Sequence, residues 1–235
     1  MTILDQLAQH AAERISAAQQ RLSLRELRRQ ALALPKGRFA FEHALQTPGI
    51  SFICECKKAF PSKGILAEAF PYLDIARAYE DAGADCISVL TEPKWFLGSD
   101  AYLQEIAAAV SIPCLRKDFT VSDYQIYEAK LLGAQAVLLI CSILSPEQLR
   151  TYIQLCDELG LSALVEAHDA AEISMGLTAG ARIIGVNNRN LKDFSVHMDN
   201  SCALRKLVPK EVLFVSESGV QSAADVEKFR QTGAD

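Results

Sequence analysis

The sequence predicts an α/β fold in which parallel strands form a (β/α)8 TIM barrel surrounded by helices. From Ser51 onward, short apolar segments alternate with amphipathic segments, and this unit repeats after roughly 20 to 25 residues. Strands that are apolar along their whole length are typical of a parallel sheet covered on both faces. Since the chain contains no Gly-x-Gly-x-x-Gly turn, a barrel is favoured over an open dinucleotide-binding sheet.

Residues 1–48 lack this repeat and predict an N-terminal helical extension. Apolar side chains recur at helical spacing from Leu4 to Ala18, and a charged second helix follows from Leu22. Pro35-Lys-Gly37 ends that helix. We expect the extension to pack on the barrel, residues 49–235, rather than to form a separate domain.

Seven strands and seven following helices are predicted within the barrel. The strands are 51–57, 85–90, 114–118, 136–141, 162–166, 182–187 and 212–217. The helices are 73–82, 101–110, 122–132, 145–160, 170–179, 201–208 and 223–231. The sequence ends at Gly233-Ala-Asp235, a turn like Gly83-Ala-Asp85, which introduces the second strand. The eighth β/α unit is therefore missing from this chain, and we expect the natural protein to be longer.

Composition indicates a soluble, cytoplasmic protein. The net charge of −5 and the isoelectric point near 5.5 argue against nucleic-acid binding, which usually needs a basic surface. No apolar segment is long enough to cross a membrane, and no export signal precedes the first helix. The seven cysteines are odd in number, lie mostly in apolar segments and form no Cys-x-x-Cys pair, as in reduced proteins.

The first predicted strand ends in two opposite charges. Because side chains alternate along a strand, Ile53, Glu55 and Lys57 share one face. A buried carboxylate and ammonium are costly unless they pair or meet a ligand. The pair alone is equally compatible with a structural ion pair and with a functional site.

Polar residues recur at the carboxyl ends of five strands, which is where barrels place their active sites. Besides Glu55 and Lys57, they are Arg116-Lys-Asp118, Glu166, Asn187-Asn-Arg189 and Glu217-Ser-Gly219. Each one alone could be a capping or solvated residue, but their recurrence at one end predicts a functional site. Clustered lysines and glutamates favour acid and base catalysis near neutral pH. The Ser218-Gly219 turn offers backbone N–H groups to a phosphate.

Several segments closely resemble the motifs of the indole-3-glycerol phosphate synthase family, in the same order and over nearly the whole chain. They are Glu55-Cys-Lys-Lys-Ala-Phe-Pro-Ser-Lys-Gly64, Val89-Leu-Thr-Glu-Pro-Lys-Trp-Phe-Leu-Gly-Ser99, Leu115-Arg-Lys-Asp-Phe119, Leu164-Val-Glu166, Ile184-Gly-Val-Asn-Asn-Arg-Asn-Leu191 and Ser216-Glu-Ser-Gly-Val220. The resemblance implies a (β/α)8 barrel of tryptophan biosynthesis. It implies a carboxy-lyase that closes 1-(2-carboxyphenylamino)-1-deoxyribulose 5-phosphate to indole-3-glycerol phosphate, losing CO2 and water, with no metal or organic cofactor.

The resemblance also implies catalytic roles, carried over by position. Lys117 is similar to the general acid that protonates the ribulose carbonyl, and Glu166 and Lys57 are similar to groups that transfer protons in ring closure and dehydration. Glu55 is similar to the carboxylate that orients a lysine and the substrate hydroxyls. Asn187 and Glu217 complete the catalytic set that the resemblance implies.

Substrate-binding roles are implied in the same way. The residues concerned are Ser62, Phe119, Leu138, Arg189, Ser218 and Gly219. Of these, Phe119 and Leu138 are similar to the apolar walls around the anthranilate ring, and Ser218 and Gly219 to a phosphate site. Phe60 departs from the family, which usually has serine there, so we expect a lost hydrogen bond and a narrower opening to the site.

Two other interpretations stay open at this point. Another phosphate-binding barrel, such as phosphoribosylanthranilate isomerase, would place an acid–base pair of Cys and Asp at the strand ends, whereas this chain has Lys117 and Glu166. A decayed barrel or inactive fragment would act only as a binding partner. The resemblance further allows fusion to, or association with, another enzyme of the tryptophan pathway.

Overall fold

The computed structural model describes residues 2–60, 64–66, 68–190 and 195–235. Three helices precede the first strand: α1 Ile3–Arg21, α2 Leu24–Ala33 and α3 Ala40–Ala44. The strands are β1 Ile53–Cys56, β2 Ala59–Phe60, β3 Gly64–Ile65, β4 Cys86–Leu90, β5 Cys114–Lys117, β6 Ala136–Ile140, β7 Ser162–Ala167, β8 Ile183–Asn187 and β9 Leu213–Glu217. The later helices are α4 Tyr72–Asp81, α5 Asp100–Ala109, α6 Asp123–Leu131, α7 Pro146–Leu159, α8 Ala170–Ala179, α9 Asp199–Leu204 and α10 Ala223–Thr232. Short 3-10 helices span Cys141–Ile143 and Arg205–Leu207.

Seven strands form one parallel sheet in the order β1-β4-β5-β6-β7-β8-β9. Each strand pairs with the next sheet strand along the chain, as a β/α repeat requires. The predicted α/β barrel class is confirmed, with seven parallel strands among the described residues. None of the described helices is both long and apolar enough to cross a membrane.

A short antiparallel hairpin follows β1 where the sequence predicts only a loop. Phe60 of β2 pairs with Gly64 of β3, and Ala59 pairs with Ile65. Each strand has two residues, so neither is long enough to show the alternation that predicts a strand. The hairpin places Phe60 beside the carboxyl end of β1.

The Gly-Ala turns fix the register of the strands by a shared hydrogen-bond pattern. The N–H of Asp85 donates to the carbonyl of Phe52 over 3.0 Å, and Asp85 Oδ2 accepts from the N–H of Phe52 over 2.8 Å. The same two hydrogen bonds join Gln135 to Cys114 and Asp235 to Phe214. The carbonyl of Asp235 also accepts from the N–H of Ser51 over 2.8 Å, so this residue contacts both β9 and the segment before β1.

The N-terminal helices contact opposite ends of the strands. Near the amino ends, the N–H of Glu42 in α3 donates to Ser162 Oγ over 3.1 Å. Near the carboxyl ends, Arg14 of α1 forms two hydrogen bonds, of 2.7 and 3.2 Å, with Asp118. Leu7, on the same helix as Arg14, is buried in the apolar cluster on the inner face of the sheet. The division into residues 1–48 and 49–235 stays a prediction.

Candidate active site

The carboxyl ends of the strands surround a cavity of about 430 Å³. It is lined by every predicted site residue within the described part of the chain: Glu55, Lys57, Lys117, Phe119, Leu138, Glu166, Asn187, Arg189, Glu217, Ser218 and Gly219. Ser62 lies outside the described residues. The side chains converge because strand residues two apart share a face, as Leu164 and Glu166 do on β7.

Lys117 lies between the buried carboxylate of Glu166 and the largely buried carboxylate of Glu217. Its Nζ is 2.9 Å from Oε2 of Glu217 and 3.6 Å from Oε2 of Glu166. Burial acts to lower the pKa of Lys117, but the negative charges of Glu217, Glu166 and Glu55 outweigh it and raise that pKa above its ordinary value. Lys117 is therefore an ammonium that can donate a proton where negative charge develops.

The two carboxylates have opposite pKa shifts. Burial acts to raise the pKa of Glu166, but Lys117, a neighbouring histidine and Asn187 outweigh it and lower that pKa to about 2. Burial, reinforced by the charge of Glu166, raises the pKa of Glu217 to about 7 despite the contact with Lys117. Titratable neighbours whose pKa values are displaced in opposite directions are typical of an acid and a base in one site.

Gly185 leaves space for the Glu217 carboxylate. A Cβ atom at position 185 would lie 2.2 Å from Oε1 of Glu217. That oxygen is buried and has no hydrogen-bond partner among the described residues. The glycine of the Ile184-Gly-Val-Asn motif therefore leaves the space that this carboxylate occupies.

Asn187 is held in one orientation by its neighbours. Its Oδ1 accepts from the hydroxyl of Ser218 and from the N–H of Arg189, each over 3.0 Å. Its Nδ2 then faces Glu166 and donates to Oε1 over 3.2 Å. Ser218 and Gly219 both have positive φ, of 69° and 96°, so the chain turns sharply at the edge of the cavity.

Aromatic and cationic side chains line the opening. Lys57 forms an ion pair with Glu55, and its Nζ lies 5.3 Å from the centre of the Phe60 ring. Cζ of Arg189 lies 4.8 Å from the same ring centre. Both distances are within the range of cation–π attraction. Phe60 therefore contributes to the wall of the cavity and lies beside both cations.

Comparison with known proteins decides the family. The model of the family described as indole-3-glycerol phosphate synthase matches residues 4–235. The chain belongs to this family. The synthase of Ruminiclostridium cellulolyticum is 53% identical over 233 residues, covering 99% of this chain and 90% of the relative. The synthase of Lacticaseibacillus paracasei is 50% identical over 232 residues, covering 98% and 89%.

A solved structure supports the fold alone. The N-acetylmannosamine-6-phosphate 2-epimerase from Clostridium perfringens has a TM-score of 0.61 and 15% identity, covering 78% of this chain and 83% of that chain. At this identity the likeness extends to the barrel and not to the site. The synthase resemblance inferred from the sequence motifs is confirmed by the family match, which excludes the isomerase interpretation.

Two features of this synthase-family site have no signal in the sequence, and a third has only a weak one. His168 follows Glu166 closely in the chain, which indicates a position near the opening, and its Nε2 lies 3.3 Å from Oε1 of Glu166. Phe96, which lines the cavity, lies in a loop where periodicity gives no signal. The contact of Arg14 with Asp118 joins residues 104 apart in sequence, and no local pattern predicts such a pair.

The described residues offer no cluster of three or more His, Cys, Asp or Glu side chains that could hold a metal ion. All seven cysteines are free. Burial, aided by Glu55, raises the pKa of Cys56 to about 12, so this thiol stays protonated and unreactive near neutral pH. The cysteine near the site is a packing residue.

Proposed function

We propose that this chain catalyses the family's reaction, the ring closure of 1-(2-carboxyphenylamino)-1-deoxyribulose 5-phosphate to indole-3-glycerol phosphate. The observation that supports this most strongly is the Lys117 ammonium held between Glu166 and Glu217 at the bottom of a partly apolar cavity. Such an arrangement supplies acid and base groups without an additional reactant. CO2 and water are the other products.

Lys117 is the general acid of the first step in this proposal. The aromatic carbon that bears the carboxylate attacks the ribulose carbonyl carbon, and the carbonyl π electrons move to the oxygen. Lys117 donates its proton to that oxygen, so no free alkoxide forms. The low polarity around the cavity, with Phe119 and Leu138 in its wall, strengthens this charge interaction. Loss of CO2 then restores the aromatic ring.

The dehydration step needs a base and an acid on the same intermediate. Glu166, ionised by its neighbours, accepts the proton that the intermediate loses. The hydroxyl of the same intermediate is protonated by a second group and leaves as water. Lys57 is the candidate for the second proton transfer because Glu55 holds it at the cavity edge. Arg189 and the backbone at Ser218-Gly219 bind the substrate's anionic groups.

Turnover of the anilino-deoxyribulose phosphate, followed by indole fluorescence, tests the proposal. Wild-type chain should form indole-3-glycerol phosphate, and Lys117→Ala should lower kcat at least about 100-fold because the general acid is lost. Lys36→Ala, which removes an exposed lysine, is the matched control and should keep wild-type rates. Absence of turnover in wild type, or equal rates in both variants, would contradict the proposal.

An inactive binding barrel is the second candidate. Titration with a reduced, non-cyclisable substrate analogue separates it from the enzyme, because a site that has lost its function should not bind the analogue. We also propose a cytoplasmic location, supported by the seven free cysteines. Fractionation of the source cells would test it. Association with another tryptophan-pathway enzyme stays a prediction of the family resemblance, and co-purification of that enzyme would test it.

A further inference from the structure

His168 is a titratable side chain that the proposed reaction does not use. It follows the end of β7, and its ring lies between two carboxylates on different elements. Nε2 is 3.3 Å from Oε1 of Glu166 on β7, and Nδ1 is 3.0 Å from Oε2 of Glu172 on α8. The side chain is 21% exposed, so water screens these contacts only in part.

Glu172 is itself fixed by the start of α8. The N–H of Glu172 donates to Oδ1 of Asp169, the N-cap residue, over 2.9 Å. Oε2 of Glu172 accepts from the N–H of His168 over 2.7 Å as well as contacting the ring. The loop thus holds both the backbone and the ring of His168, which limits the directions in which Nε2 can point.

The two oxygens of Glu166 have different neighbours. Oε1 contacts His168 and Asn187, whereas Oε2 lies 3.6 Å from Lys117. Oε1 accepts a hydrogen bond from Asn187, and His168 Nε2, which forms no hydrogen bond among the described residues, lies beside it at ion-pair distance. The hydrogen bond and the charge attraction together restrict rotation of the carboxylate. Oε2 is left directed toward Lys117 and the cavity, where the proposed function requires a base.

We propose that His168 is a positioning residue for Glu166: held by Glu172, its ring attracts one carboxylate oxygen as an ion-pair partner and leaves the other directed at the reacting groups. This inference rests on the proposed function, in which Glu166 accepts a proton. His168 is not a catalytic residue, because Glu166 and not His168 faces the cavity. Chains with another residue at this position would need a different contact to orient the same carboxylate.

Charged groups surround both Glu166 and His168 and affect the pKa of each. Glu166 faces Lys117 from β5, Glu217 from β9 and the Asn187 amide from β8. His168 faces Glu166 and Glu172, and burial acts to lower the pKa of His168 while the two carboxylates raise it to about 10. An imidazolium therefore faces Glu166 at neutral pH and stabilises its ionised form. Removing it should raise the pH at which Glu166 protonates.

Kinetic pH profiles test the inference. In His168→Leu the acid limb of kcat/KM should move up by about one pH unit, and kcat at pH 7 should fall about tenfold. His168→Asn, which keeps a donor but no charge, should show a smaller shift, and Glu172→Gln a shift in the same direction. His197→Asn, which removes a nearby imidazole, is the control. An unmoved acid limb, or loss of activity that only parallels loss of thermal stability, would overturn the inference.

Ring 15N NMR tests the same contact without turnover. The chain has four histidines, and the spectrum of His168→Asn assigns the signal of interest. Both ring nitrogens of His168 should be protonated at pH 8, and Glu166→Gln or Glu172→Gln should lower the pH at which the ring titrates. A ring that titrates near the ordinary value of about 6.5, or that ignores Glu166→Gln, would overturn the inference. An inactive wild type with the expected ring shifts would instead contradict the proposed function.

Discussion

At the scale of single residues, one missing side chain determines where Glu217 can sit. Gly185 and Glu217 lie on neighbouring strands, and Glu217 Oε1 occupies the space that a Cβ at position 185 would need. The backbone of Gly185 does not have positive φ, so the reason for glycine here is space and not backbone conformation. An alanine at position 185 therefore tests the site without straining the backbone of the strand.

Gly185→Ala should displace the Glu217 carboxylate and lower kcat about 100-fold, because small misplacements of catalytic groups have large effects on rate. The loss in unfolding free energy should stay within about 1 to 2 kcal/mol, since Glu217 can rotate away. Turnover and urea unfolding of the same preparation measure both quantities. Wild-type kcat in a folded variant would show that Glu217 tolerates the added methyl group or has no role.

The pH dependence of folding should contain a contribution from His168. The carboxylates of Glu166 and Glu172 overcome burial and raise the pKa of His168 to about 10 in the folded state, against about 6.5 unfolded. The folded state holds this proton more tightly, so the stabilisation is complete below about pH 6.5 and is lost as the pH rises toward 10. Urea unfolding should show the free-energy difference between wild type and His168→Asn shrinking by about 3 to 4 kcal/mol from pH 7 to pH 10. If the free-energy difference between the two proteins does not change with pH, the raised pKa of His168 is contradicted.

At the scale of elements, helix α1 joins two loops at the carboxyl ends of the strands. His10 Nδ1 lies 3.2 Å from Oε1 of Glu92, whose carboxylate is fully buried and accepts backbone N–H groups of the loop after β4. One turn further, Arg14 pairs with Asp118, which directly follows Lys117. The helix is therefore connected to the position of the proposed general acid.

Arg14→Gln should destabilise the fold and lower activity together. Asp118 keeps bonds from Thr91 Oγ1 and its neighbour's N–H, so we expect a loss of about 2 to 3 kcal/mol rather than complete unfolding. Arg21→Gln, which removes the same charge from an exposed position of the same helix, should change stability by less than about 0.5 kcal/mol. Equal effects of the two variants on unfolding would show that the contact with Asp118 contributes nothing.

The β/α elements were predictable where the physical signal was local. Strand β6 is apolar throughout because both faces are buried, and α7 begins with Ser145 and Pro146, a cap and first-turn pair that the sequence displays. The hairpin at Phe60 was missed because its two-residue strands are too short to show the alternation of apolar and polar residues. Helix α9 ends at Leu204, before the predicted 208, where a 3-10 turn follows.

The sequence predicts which strand ends contribute polar residues to the candidate site. It does not predict which of those residues contact one another. Polar residues at five strand ends indicated convergence, and the structure brings Lys117, Glu166 and Glu217 together. The sequence could not indicate which carboxylate is ionised, because that depends on burial and on partners from other strands. The role of His168 depends on Glu172 in the following helix, and a strand pattern does not include such contacts.

At the scale of the whole molecule, the chain is acidic, with a net charge of −5, yet its cavity is lined by Lys57, Lys117 and Arg189. The same lining contains the carboxylates of Glu55, Asp118, Glu166 and Glu217. An anionic substrate is repelled by the molecule as a whole and meets the three cations only at short range. Salt screens charges over about 10 Å at 0.1 M. Added salt should therefore weaken the short-range attraction at the open edge more than it affects Lys117, which is only 19% exposed and lies between two carboxylates.

Raising NaCl from 0.05 to 0.5 M should increase KM for the phosphorylated substrate about three- to tenfold and leave kcat within about twofold. Binding depends on cations at the edge of the cavity, such as Arg189, whereas the proton transfers depend on the buried groups. Arg189→Gln should raise KM at low salt and reduce its further rise with NaCl, because the charge that salt would screen is already gone. Steady-state kinetics at constant pH measure both parameters. A kcat that falls with salt while KM stays constant would place the salt-sensitive charges in the chemical steps and not in substrate binding.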